Sequence, residues 1–79
     1  MADRNDLEVW VVEALTALGG AGTIVHICKH MWETHEAELR ASNDLFFTWQ
    51  YEMRWAGQRL RNEGRLRPPR GRLWRLASA

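Results

Sequence analysis

The sequence predicts a small α+β domain, mainly helical, in which three helices and a short first strand lead into a C-terminal two-stranded hairpin. Three observations predict it. Apolar residues recur at three- and four-residue spacing in three separate stretches, the mark of amphipathic helices. Glycine punctuates these stretches at Gly19-Gly20 and Gly64, where a helix end takes a left-handed residue without penalty. After Gly64 the pattern changes to alternation around Pro68-Pro69-Arg70-Gly71, the chemistry of a turn between strands.

Each element follows from its residues. Residues 1–5 are expected to fray, with Asn5 or Asp6 capping the first helix through a short side-chain oxygen. Glu8 then lies near the positive end of the helix dipole. Leu7, Trp10, Val11, Ala14, Leu15 and Leu18 form its apolar stripe, and Gly19-Gly20 stops it. Thr23 is placed to cap a second helix over Ile24–Glu33. Ile24, Ile27, Cys28 and Met31 share its inner face, and His26, Lys29, His30 and Glu33 its outer one. The segment 20–23 is a candidate short strand that pairs with the later hairpin. His35–Arg40 reads as a helical turn with Leu39 inward, and Ala41-Ser42-Asn43-Asp44 as a loop. Leu45-Phe46-Phe47 is apolar and expected to be tucked in. The third helix starts at Asp44 or Thr48. Thr48–Glu63 is the preferred range, with Trp49, Met53, Ala56, Gly57 and Leu60 on one face and Trp55 at its margin. Arg65-Leu66-Arg67 and Arg72–Leu76 then form strands, with Trp74 and Leu76 on one face and Arg75 on the other. Residues 77–79 are a tail. Helix, short strand, helix, helix, strand, strand is the order of a winged helix-turn-helix, expected as a single domain over 1–79.

Size and composition narrow the class. A chain of 79 residues buries a modest share of its surface and needs extra support. The single cysteine, Cys28, forms no disulfide within the chain and points to a reducing, cytoplasmic setting. Five Trp, two Phe and one Tyr supply dense aromatic packing instead. No apolar run approaches the roughly 20 residues of a membrane span. The start, Met-Ala-Asp-Arg-Asn-Asp, is acidic and polar, unlike a secretory leader.

Charge is the strongest functional signal. Up to Glu52 there are three Lys/Arg (Arg4, Lys29, Arg40) against nine Asp/Glu. From Met53 onward there are eight Arg against Glu63 alone. The net +1 of the chain therefore conceals a front part at −6 and a tail at +7. A helix followed by an Arg-rich hairpin is what a winged helix sets against nucleic acid.

The last third carries a family resemblance. Met53-Arg54-Trp55-Ala56, Leu60-Arg61-Asn62-Glu63-Gly64-Arg65-Leu66 and Gly71-Arg72-Leu73-Trp74-Arg75-Leu76 resemble the N-terminal winged-helix domain of Mrr-type restriction proteins. Gly19-Gly20 with Thr23 is similar to that family's link between its first two helices. In the family pattern one residue separates the wing glycine from the tryptophan; here Arg72 and Leu73 do. Trp49-Gln50-Tyr51-Glu52-Met53-Arg54 also looks like the start of recognition helices in forkhead-like winged helices. A similar pattern occurs in the winged helix of restriction enzymes that require N6-methyladenine. The resemblance implies a DNA reader within a restriction, defence or regulatory system, with the third helix in the major groove. None of the nuclease motifs of those enzymes is present.

Residue types then assign candidate roles. Thr48, Trp49, Gln50, Tyr51, Arg54 and Trp55 are candidates for base contact, because Gln pairs with adenine and Arg with guanine in the major groove. An aromatic edge among Phe46, Phe47, Trp49, Tyr51 and Trp55 would suit a methyl on adenine N6, an idea that the resemblance raises. Lys29, His30, Arg59, Arg61, Arg65, Arg67, Arg70 and Arg72, with Arg75, are candidates for phosphate contact, since the guanidinium fork matches phosphate oxygens. His26 and His30 are spaced i, i+4, but no second ligand pair is visible, so solvent-facing histidines are expected and no metal. Cys28 is expected to be a small buried hydrophobe, with no neighbouring base to make it a nucleophile. The expectation is a binder rather than an enzyme, with no cofactor and no small-molecule substrate. Its partner is double-stranded DNA, adenine-methylated in the sharper version, with a homodimer or an associated nuclease as further partners. The rival is a protein-interaction module, because winged helices also dimerise.

Overall fold

The computed structural model describes residues 3–77. Along the chain run α1 (Arg4–Ala17), β1 (Ala21–Thr23), α2 (Ile24–Arg40), α3 (Asp44–Asn62) and β2 (Leu73–Arg75). The molecule is α+β and mainly helical, with a two-stranded antiparallel sheet.

α1 begins earlier than expected. Asp3, not Asn5 or Asp6, is the cap. The Asp6 amide donates to the Asp3 carboxylate and the Asp3 amide to the Asp6 carboxylate, both at 3.0 Å. This reciprocal pair satisfies two orphan donors at once. Asp3–Asn5 thus belong to α1 and its cap, and the expected fraying of residues 1–2 and 78–79 lies outside the described residues. At the other end the Gly20 amide reaches the Leu15 carbonyl at 2.7 Å, with Gly19 at φ 89° and Gly20 at φ 103°. That is the left-handed ending the glycine pair predicts.

Thr23 caps α2, its Oγ1 accepting from the His26 amide at 3.3 Å. The helix does not stop at Glu33. No glycine or proline interrupts 33–40, so it runs on to Arg40 through a single kink at His35, φ −125° and ψ 25°. Tertiary contacts hold the kinked residue. The His35 ring stacks on Trp10 of α1 with centroids 3.9 Å apart, and its two nitrogens lie 2.7 Å from Glu13 and 3.1 Å from Glu38. Leu39 points inward as expected and is fully buried.

α3 starts at Asp44 rather than Thr48. Thr48 is therefore interior to the helix, its hydroxyl donating back to the Asp44 carbonyl at 3.3 Å. The turn before it is made by Asn43 at φ 53° and ψ −122°, a positive-φ conformation outside the regions that most residues adopt. Phe46 and Leu45 are half-buried, but Phe47 is 82% exposed. The expectation that all three are tucked in fails at Phe47, because the helix phase turns that position outward.

The hairpin departs from two full strands. Only Leu73–Arg75 is regular strand, and its sheet partner is β1, in the register Ala21↔Arg75, Gly22↔Trp74, Thr23↔Leu73. The expected strand at Arg65–Arg67 is reduced to isolated bridges, Leu66↔Leu76 and Arg70↔Leu73. The Arg67 amide still bonds to the Arg75 carbonyl at 3.0 Å, and the Ala77 amide to Arg65 at 3.1 Å. Ala77 is thus tied to the hairpin rather than part of a free tail. Two consecutive prolines remove two donors from the first arm, which prevents a continuous ladder.

One apolar core joins the three helices and the hairpin. Leu7, Val11 and Leu15 of α1, Ile27 and Met31 of α2, and Met53 and Leu60 of α3 are fully buried. Trp74 closes the hairpin end, and its ring lies against Gly57. A Cβ built on Gly57 would sit 2.5 Å from Trp74 Cη2, so glycine here makes room for the indole.

Candidate nucleic-acid interface

α3 presents three longitudinal faces. The inner face carries Trp49, Met53, Ala56, Gly57 and Leu60 into the core. The flank beside α1 is ion-paired. Arg4 Nε lies 3.2 Å from Glu52, and Arg59 Nε 3.0 Å from Glu8. The outer face carries Phe47, Tyr51 and Trp55 at four-residue spacing, which places them one above another. Tyr51 is 62% and Trp55 51% exposed.

The base-contact candidates therefore divide. Thr48, Gln50, Tyr51, Arg54 and Trp55 are exposed. Trp49 is not. It is 5% exposed and stacks on Trp32 of α2 with centroids 6.2 Å apart. Helix phase puts it one turn from Met53 on the core face, so it offers far less surface to a base than the other five.

Tyr51 and Trp55 meet edge to face, centroids 6.2 Å apart at 70°. With Arg54 and Gln58 they line a shallow opening of about 200 Å³. A second opening, about 420 Å³, lies between α2 and α3 and is lined by Cys28, Lys29, Trp32, Phe46, Trp49 and Gln50. Burial pushes the Cys28 thiol above its ordinary pKa, against the opposing pull of the Arg54 guanidinium. A thiol held protonated in this way is a poor nucleophile, and the position of Arg54 next to this groove is what the thiol senses.

The phosphate-contact candidates divide as well. Arg65, Arg67, Arg70 and Arg72 are exposed, and none enters an ion pair among the described residues. Lys29 is exposed on α2. Arg59, in contrast, is committed to Glu8, so its charge is already compensated. Arg61 lies half-buried over the Trp74 ring at 4.8 Å, and burial lowers its pKa. Arg75 donates to the Pro68 carbonyl at 3.1 Å and so braces the turn. His30 is half-buried with Nδ1 enclosed and no partner among the described residues. Arg59, Arg61 and Arg75 thus each engage a group of the protein itself, whereas Arg65, Arg67, Arg70 and Arg72 do not in ion pairs among the described residues. Of their partners, Glu8 lies 51 positions from Arg59 in sequence, while the Pro68 carbonyl is only seven from Arg75.

His26 Nδ1 faces Thr23 Oγ1 at 3.2 Å, and among the described residues no group of three or more His, Cys, Asp or Glu is arranged to hold a metal. No helix there is long and apolar enough to cross a membrane. One participant and one placement escaped the sequence reading. Phe47 was among the aromatic candidates, but starting the helix at Thr48 hid its place in the 47, 51, 55 row on the outer face of α3. Gln58 had no signal beyond its position one turn after Arg54. Comparison with protein-family models, with curated proteins and with solved structures finds no match, so the reading of this face rests on its own geometry.

Proposed function

We propose that the chain is a winged-helix module that binds double-stranded DNA, with α3 in the major groove and the Pro68–Arg72 turn along the adjacent backbone or minor groove. One observation carries the reading. The hairpin that follows α3 holds four exposed arginines without a counter-ion in the described residues, while five of the nine acids of the front part are engaged at home. Glu8, Glu13, Glu36, Glu38 and Glu52 all face a cation or a histidine. Four unpaired cations thus lie together on the hairpin, and a polyanion is their natural complement. The order of helices and strands, with β1 paired to the returning arm of the hairpin, supports the winged-helix assignment.

Base contact falls to Thr48, Gln50, Tyr51, Arg54 and Trp55. A preference for N6-methyladenine, if the site reads that mark, rests on the apolar surface of Tyr51 and Trp55, not on Trp49. Binding titrations on one duplex across a salt series test the core of the proposal. Affinity is expected to fall steeply as salt rises. Arg70→Glu combined with Arg72→Glu is expected to abolish binding while thermal unfolding stays unchanged. Normal binding by this double variant would refute the hairpin assignment. Matched duplexes with and without N6-methyladenine test the finer reading, which equal affinities would remove.

A second reading has its own support. Phe47, Tyr51 and Trp55 form an exposed apolar stripe on one helix, as interaction surfaces do. A protein-interaction module would show concentration-dependent size and no DNA affinity at low salt.

A further inference from the structure

We propose that the corner between Tyr51 and Trp55, with Arg54 and Gln58 beside it, receives one unpaired base of the bound DNA. The inference rests on the DNA-binding reading and goes beyond it by naming what the corner recognises.

Ring exposure is the first argument. Tyr51 and Trp55 are more than half exposed although their helix also offers a core face. Their edge-to-face contact at 70° leaves ring faces uncovered. A paired base presents only its edge in a groove, because its own neighbours cover its faces. Free ring faces are therefore matched by a base that has left the stack, whose π-face is available. The opening of about 200 Å³ is below the usual range for drug-sized ligands and suits a single ring system.

Polar chemistry is the second argument. The four residues lining the corner include one cation and no acid. Arg54 is exposed and enters no ion pair among the described residues, so it is free for the phosphate beside an extruded base. Gln58 Nε2 donates to Asn62 Oδ1 at 3.2 Å. Its carbonyl oxygen thus remains an acceptor for the exocyclic amine of adenine, cytosine or guanine. An apolar protein partner would use the rings but leave the Arg54 charge uncompensated. That is why charge complementarity favours nucleic acid here.

The test uses the full chain and two fluorescent duplexes of one sequence, fully paired or carrying a single-base bulge of 2-aminopurine. Wild type is expected to bind the bulged duplex about tenfold more tightly, with the 2-aminopurine emission quenched on stacking. Trp55→Ala is expected to bring the ratio of the two affinities to about one, and Trp55→Phe to keep most of it. Arg70→Glu with Arg72→Glu is expected to abolish binding of both duplexes alike, whereas Trp55→Ala removes only the preference for the bulge. Equal affinities for wild type, or a ratio that Trp55→Ala does not change, would overturn the base corner while the DNA-binding reading stands. Failure to bind either duplex at low salt would overturn both. Self-association that Trp55→Ala abolishes, without a bulge preference, would make the stripe a protein-docking face and would also overturn the proposal.

Discussion

The two flanks of α3 use the same residue type for opposite purposes. On the side facing α1, Arg59 meets Glu8 and Arg4 meets Glu52, and these contacts tie helices together. In the hairpin beyond α3, Arg65, Arg67, Arg70 and Arg72 are exposed, with no ion pair among the described residues. The difference lies in the neighbours, not in the arginines. An acid brought within 4 Å turns a cation inward as a brace, and without one the cation stays available to an outside anion. Charge counted along a sequence measures supply, and only the pairing shows what is left over.

The largest expected effect is at the junction of these regions. Gly57 sits inside α3, where replacing glycine by alanine ordinarily stabilises a helix. Here the added Cβ meets the Trp74 ring at 2.5 Å, and that ring is buried and roofed by Arg61. Gly57→Ala is expected to destabilise the fold by about 1–3 kcal/mol, read by urea unfolding. A gain in stability would show that the indole moves aside freely.

A paired substitution sharpens the comparison directly. Arg59→Ala is expected to cost about 1 kcal/mol of stability and to leave the salt dependence of DNA binding unaltered. Arg67→Ala is expected to leave stability within about 0.5 kcal/mol and to lower the salt slope by about one. Unfolding curves and salt titrations on both variants provide the check. Equal effects on both readouts would erase the division between bracing and free arginines.

The smallest effect concerns the α1–α2 contact. Burial alone would lower the His35 pKa, but hydrogen bonds and charge from Glu38 and Glu13 outweigh it, and the net shift is upward. The folded state therefore holds the proton more tightly than the unfolded chain. The stabilisation is fully present below about pH 6.5, the ordinary histidine value, and is lost as pH rises through the higher folded value. The expected loss is under about 1 kcal/mol, since the acids are partly exposed. His35→Gln is expected to flatten this part of the pH–stability curve, with NMR titration of the ring as an independent check.

Much of the fold was legible because it depends on local chemistry. Gly19-Gly20, Thr23 and Gly64 declare helix ends through backbone conformation and capping, which act within a few residues. The core stripe of α3 was correct residue by residue, because helical phase survives an error in the starting point. The errors have equally local causes. Of the two starts open to α3, Thr48 was preferred over Asp44, so the first turn of α3 and the place of Phe47 in it were missed. Ending α2 at Glu33 was an error of the same kind, since no stop signal stands in 33–40; what no window shows is the kink at His35, whose ring stacks on Trp10, 25 positions away.

The candidate site was half legible. The sequence by itself determined the supply of charge and rings, the glycine stops, the proline turn and the apolar faces, because composition and short-range periodicity determine these. Tertiary structure alone decided which arginines are spent. Glu8 and Arg59 are 51 positions apart, and whether they meet depends on how α1 lies along α3. The same packing placed Trp49 inside and left Tyr51 and Trp55 outside. A helical wheel can rank faces, but only the neighbouring elements determine which face is covered.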